Sequence, residues 1–86
     1  MVEVAWSRKA LKQLSKIDSR YRRSIYQKVT QLAAFPDVGL DLKKLTDVEN
    51  QFRLRSGDYR VIFEVRGGRP IILTILEVLR SSSKTY

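Results

Sequence analysis

The chain has 86 residues, 43% of them hydrophobic, which is enough for one core and too short for a second, so a single domain over residues 1–86 is expected. It has neither cysteine nor histidine, which excludes disulfides, thiolate nucleophiles, Cys-ligated zinc and the usual general base. Lys and Arg number 17 against 9 Asp and Glu, and the resulting net charge of +8 points to a polyanion as partner.

In chain order, Val2, Val4 and Trp6 alternate with Glu3 and Ala5, which reads as a short opening strand. Ser7 is a natural N-cap for a helix through Lys16, with Leu11, Leu14 and Ile17 at helical spacing. Asp18-Ser19 breaks that helix and caps a second over Arg20–Ala34, whose stripe is Tyr21, Ile25, Val29 and Leu32. Phe35-Pro36 stops it, because the residue before a proline avoids the helical region. Two helices so closely joined form an antiparallel hairpin. Residues 36–50 hold Pro36, Gly39 and the acids Asp37, Asp41, Asp47 and Glu49, and read as a solvated acidic loop with a turn of structure at most.

From Gln51 the period changes to two. Phe52 and Leu54 alternate with Arg53 and Arg55, Ser56-Gly57-Asp58 turns the chain, and Tyr59–Val65 is the next strand. Gly67-Gly68 offers a two-residue hairpin turn into a last strand over Pro70–Leu79, apolar enough to be covered on both faces. The order is β-αα-βββ: an α+β fold with an antiparallel sheet of about four strands and the helical hairpin on one face. Trp6, Phe35 and Phe63 are assigned to the core. Met1–Trp6 lacks the basic-then-apolar layout of an export signal, and no apolar run approaches about 18 residues. A cytoplasmic location without membrane contact is therefore expected.

Two-residue turns place Arg55 opposite Arg60 and Arg53 opposite Ile62, so Arg53, Arg55 and Arg60 share one sheet face. Like charges across a strand pair are destabilising unless an anion occupies them or acids compensate. Guanidinium forks match phosphate geometry, so this face is either a phosphate site or a solvated basic surface. Nucleophilic triads are unavailable without His or Cys, and no P-loop, HExxH or GxGxxG pattern occurs. RNA cleavage by the adjacent 2′-OH remains open, because the substrate brings its own nucleophile and arginines can stabilise the phosphorane-like transition state.

The run Phe52-Arg53-Leu54-Arg55-Ser56-Gly57-Asp58-Tyr59-Arg60-Val61-Ile62-Phe63-Glu64-Val65 closely resembles the RelE/ParE toxin superfamily: a basic strand, a small turn, Tyr-Arg and an apolar strand. The helix at Ser7–Leu14, Leu45 after Lys43-Lys44, and Tyr86 after Arg80 are similar to the family as well. The resemblance implies a RelE-like domain that acts as the toxin of a type II toxin–antitoxin system. It implies a metal-independent, ribosome-dependent mRNA endonuclease with no cofactor. Its partners would be the ribosome, mRNA and a small, partly disordered antitoxin. Carried over by position, Arg53 and Arg60 would stabilise the transition-state phosphate. Arg80 would protonate the leaving oxygen or contact its phosphate, and Tyr86 would orient or help deprotonate the 2′-OH. Arg55 would be a supporting phosphate contact. Gln51 stands where the best-known RelE-type site has a lysine, and Lys43 or Lys44 would substitute for that cation. Glu77 would pair with one of the arginines. The alternatives are a ParE-like inhibitor of DNA gyrase, which cuts no RNA, and a non-catalytic RNA-binding relative, which Gln51 favours.

Overall fold

The alternation at the chain start makes strand β1 (Val2–Trp6), and Ser7 then caps helix α1 (Arg8–Ser15), its hydroxyl accepting from the Ala10 N–H at 3.0 Å. Asp18 caps helix α2 (Ser19–Gln31) by accepting from the Arg20 N–H at 2.9 Å. That backbone bond, with the Arg20 side chain behind it, holds the Asp18 carboxyl below its ordinary value. The computed structural model, which describes residues 2–80, continues with a 3₁₀ turn over Leu32–Ala34 and four strands. These are β2 (Leu42–Lys44), β3 (Gln51–Ser56), β4 (Tyr59–Arg66) and β5 (Ile71–Arg80). The second helix thus ends earlier than expected: its last turn tightens before Phe35, whose extended backbone (ψ 138°) precedes Pro36.

The strands form one sheet in the order β1-β5-β4-β3-β2. It has five strands where about four were expected. The additional one is β2, read from the sequence as loop, which pairs antiparallel with β3 (Leu42 opposite Leu54). Three residues are too few to display a period of two, and β2 is a strand because β3 offers it an edge. The sheet is also mixed, since β1 lies parallel to β5 (Val2 opposite Ile71). These strands are joined through the whole chain rather than by a tight turn, so nothing forces them antiparallel.

The last hairpin differs from expectation too. Arg66 lies opposite Ile72, so the loop is longer than Gly67-Gly68 and β5 starts after Pro70, which has no N–H for the ladder. Strand β5 buries Leu73, Ile75 and Val78, with half-buried residues between them. The step from 75 to 78 breaks the period because the register shifts between Ile62 and Phe63, where an extra residue of β5 is accommodated.

The helices cover one face of the sheet. Ala10, Leu14, Ile25, Val29 and Leu32 meet Leu54, Val61, Phe63, Leu73, Ile75 and Val78 in a single core. Phe63 is fully buried as expected, whereas Trp6 and Phe35 pack at its margin, Trp6 stacked on Tyr26 with ring centroids 6.1 Å apart. Beyond Ile75, β1 has ended and α1 replaces it along the edge of β5. The Ser7 hydroxyl donates to the Leu76 carbonyl (3.1 Å), and the Gln13 Oε1 accepts from the Val78 N–H (2.7 Å). Lys9 of α1 also reaches Glu77 at 3.2 Å, so the partner of Glu77 is this lysine and not an arginine. Gln13→Leu keeps the side-chain volume but strands the Val78 N–H. Urea unfolding should show a loss of about 1–2 kcal/mol, against a negligible change for an exposed control such as Gln27→Leu.

Candidate functional site

The face left open by the helices is set by the β3–β4 hairpin. Its turn is Gly57-Asp58, with Ser56 opposite Tyr59 and Gly57 at φ +60°, a left-handed conformation suited to glycine. This register sends Phe52 and Leu54 with Phe63 and Val61 toward the helices. Gln51, Arg53 and Arg55 turn to the open face with Glu64, Ile62 and Arg60. Arg55 lies directly opposite Arg60, as the sequence predicts, and β2 adds Lys43 opposite Arg53.

Between β2, the loop after it and the hairpin lies a groove of about 340 Å³. Lys43, Lys44, Arg53 and Arg60 line it together with residues 45–48 of the loop. Four of the residues singled out from the sequence therefore converge on one concavity. Arg53 is the most enclosed, its side chain 23% exposed. One terminal nitrogen donates to Asp41 Oδ1 at 3.4 Å, while its Nε is buried with no partner among the described residues. Asp41 is itself fixed, because its carbonyl accepts from the Arg55 N–H at 3.0 Å. Lys44 shares the helix-side register of Phe52, with Nζ 5.7 Å from that ring's centroid, yet from the sheet edge it still lines the groove. Arg60 forms no ion pair among the described residues, and Glu64 pairs with Arg66 at 3.9 Å.

The other candidates lie elsewhere. Gln51 and Arg55 share the open face without lining the groove. Arg80 stands opposite Tyr59, whose ring packs 5.9 Å from Tyr21 of α2, so the register assigns Arg80 to the helix side of the sheet. Tyr86 lies outside the described residues. The sequence missed Asp41 as the partner of Arg53, and it missed the wall formed by Thr46, Asp47 and Val48. Both sit in the segment read as a solvated loop.

Chemically, the groove sets four cations around one carboxylate, Asp47, with the Arg53 fork partly unsatisfied. Such an arrangement holds an anion with several oxygens. Among the described residues no group of three or more Asp and Glu stands close enough to hold a metal ion, and no helix is long and apolar enough to cross a membrane.

The family described as ParE toxin of type II toxin-antitoxin system, parDE, matches residues 4–84. A search of curated protein sequences finds no match. Among solved structures, the RelB-RelE antitoxin-toxin complex from Methanococcus jannaschii is similar at 26% identity and a TM-score of 0.73, over 92% of each chain. The RelE-RelB complex from Pyrococcus horikoshii has the same fold at 22% identity, covering 96% of this chain and 98% of that one, with a TM-score of 0.78. The chromosomal ParDE system from P. aeruginosa shares it at 21% identity, over 95% and 98%, with a TM-score of 0.71.

Proposed function

This chain belongs to the ParE toxin family of type II toxin–antitoxin systems, and on that premise we propose that it acts as an endoribonuclease on mRNA in the ribosomal A site. The observation that carries the proposal is the convergence of Lys43, Lys44, Arg53 and Arg60 on one groove of the open sheet face. In this reading the substrate 2′-OH attacks the adjacent phosphorus. The O2′–P bond forms, the P–O5′ bond breaks, and the products end in a 2′,3′-cyclic phosphate and a 5′-hydroxyl. Arg53 and Arg60 take the non-bridging oxygens, where charge grows in the transition state. Lys43, directly opposite Arg53, supplies the cation absent at Gln51 and donates a proton to the leaving O5′. Arg55 steers the neighbouring phosphate, Tyr86 orients the 2′-OH, whose proton passes to solvent as O2′ attacks while Lys43 is reprotonated from solvent, and Arg80 acts at the strand end outside the groove. The +8 charge speeds docking on ribosomal RNA.

The relatives from M. jannaschii and P. horikoshii are toxin–antitoxin complexes, and this supports a cognate antitoxin for this chain as well. A small, partly disordered protein that folds on the basic surface would neutralise it. A second reading, inhibition of DNA gyrase, is favoured by the ParE description of the matching family and by Arg80 standing off the groove.

One experiment separates the two. The protein is added to a reconstituted translation reaction on a defined mRNA, and primer extension maps new 5′ ends, with naked mRNA as control. Cuts confined to the A-site codon are expected. Intact mRNA with undiminished translation, together with loss of gyrase supercoiling in a parallel assay, would establish the second reading instead.

A further inference from the structure

Asp47 is out of place in a groove that holds phosphate. It lines the same concavity as Lys43, Lys44, Arg53 and Arg60, where a carboxylate repels the ligand those cations attract. The acid paired with a groove cation, Asp41, lies outside the lining and has a structural task, since it holds Arg53 at 3.4 Å. Asp47 has none of that kind: it enters no ion pair or side-chain hydrogen bond among the described residues. Its loop is nonetheless anchored at both ends. The Leu45 N–H donates to the Gln51 carbonyl and the Val65 N–H to the Asn50 carbonyl, both at 2.9 Å. Beside Asp47, Val48 is a large hydrophobic residue left 43% exposed on the same wall.

A carboxylate only accepts hydrogen bonds, so its RNA partner must donate. On the Watson–Crick edges, adenine and cytosine each offer one amino group beside an acceptor, and uracil offers one N–H between two carbonyls. Guanine alone offers two adjacent donors, N1–H and the 2-amino group, spaced for the two oxygens of one carboxylate. We propose that Asp47 and Val48 form a base subsite that takes an unpaired guanine next to the phosphate held by Arg53 and Arg60, Asp47 on its Watson–Crick edge and Val48 against its face. The inference rests on the groove being an RNA site. It adds sequence selectivity to what phosphate contacts alone leave unselective.

The test is fluorescence anisotropy with labelled RNA dodecamers of uridine carrying one central guanosine, inosine, adenosine or cytidine. Wild-type protein should bind the guanosine RNA about tenfold more tightly than all-uridine RNA. Inosine, which lacks the 2-amino group, should fall between them. Asp47→Ala should bind all-uridine RNA more tightly, because a negative charge has left the groove, and should lose the guanosine preference. Asp47→Ala tightening every RNA by one common factor, or wild-type protein binding all sequences equally, would overturn the base subsite and leave the RNA groove intact. Wild-type protein that binds no RNA at all would overturn the groove reading and the subsite with it.

Discussion

Arg60→Ala should slow mRNA cleavage on the ribosome by about 10²–10³-fold, the usual cost of removing one preorganised donor from a developing oxyanion. Single-turnover cleavage of a stalled A-site codon measures this directly. The same substitution should leave the fold as stable as before, or more stable by a few tenths of a kcal/mol to about 1 kcal/mol. Arg60 is exposed, forms no ion pair among the described residues and stands directly opposite Arg55, so its removal relieves a like-charge pair. A residue that costs stability and is required for activity is one placed for a ligand.

Arg53 should behave differently, being mostly enclosed and tied to Asp41. Arg53→Ala should lose cleavage to a similar extent and also some stability, because it leaves Asp41 without its partner. Arg53→Lys keeps the charge but removes the buried Nε and the planar fork, so it should recover stability better than rate. Arg55→Ala, outside the groove, should lose much less. Wild-type rates in Arg60→Ala would remove the groove from the chemistry.

The convergence at the groove was legible in the sequence as far as the hairpin went. Phe52 to Val65 alternates with a period of two about a Gly-Asp turn, and that pattern alone fixes which side chains share a face. It places Arg53, Arg55 and Arg60 together. What escaped was the contribution of residues 36–50. Strand β2 is three residues long and exists only through pairing with β3, so local propensity carried no sign of it or of the wall at Thr46–Val48. The face of Arg80 was not legible either: the register shift at Ile62/Phe63 interrupts the period along β5, and only the pairing of Arg80 with Tyr59 reveals it. The sequence pairs Glu77 with an arginine, yet α1 lies along the edge of β5 and brings Lys9 to it. Long-range packing decides such choices, and a single sequence does not record it.

Phe63→Ala should remove a large share of the protein's stability. Phe63 is fully buried and its ring meets two others, stacked on Phe52 at 5.4 Å between centroids and edge-on to Phe35 at 5.9 Å. Removing a buried phenyl ring costs about 3–5 kcal/mol, the lost transfer energy plus the cavity left behind. The whole stability of a domain of this size is about 4–13 kcal/mol, so the variant loses a large share of it, and nearly all of it at the lower end of that range. Urea denaturation followed by Trp6 fluorescence should show a large fall in the midpoint, with Phe63→Leu intermediate because it refills part of the volume. The groove depends on the same ring. Phe52 packs on Phe63 on one side, lies 5.7 Å from Lys44 Nζ, and precedes Arg53 on β3. Phe63→Leu, still folded, should therefore lose more cleavage than an equally destabilising change far from the groove, such as Leu14→Ala in α1. Equal activities for two variants of matched stability would show that the core supports the fold without tuning the site.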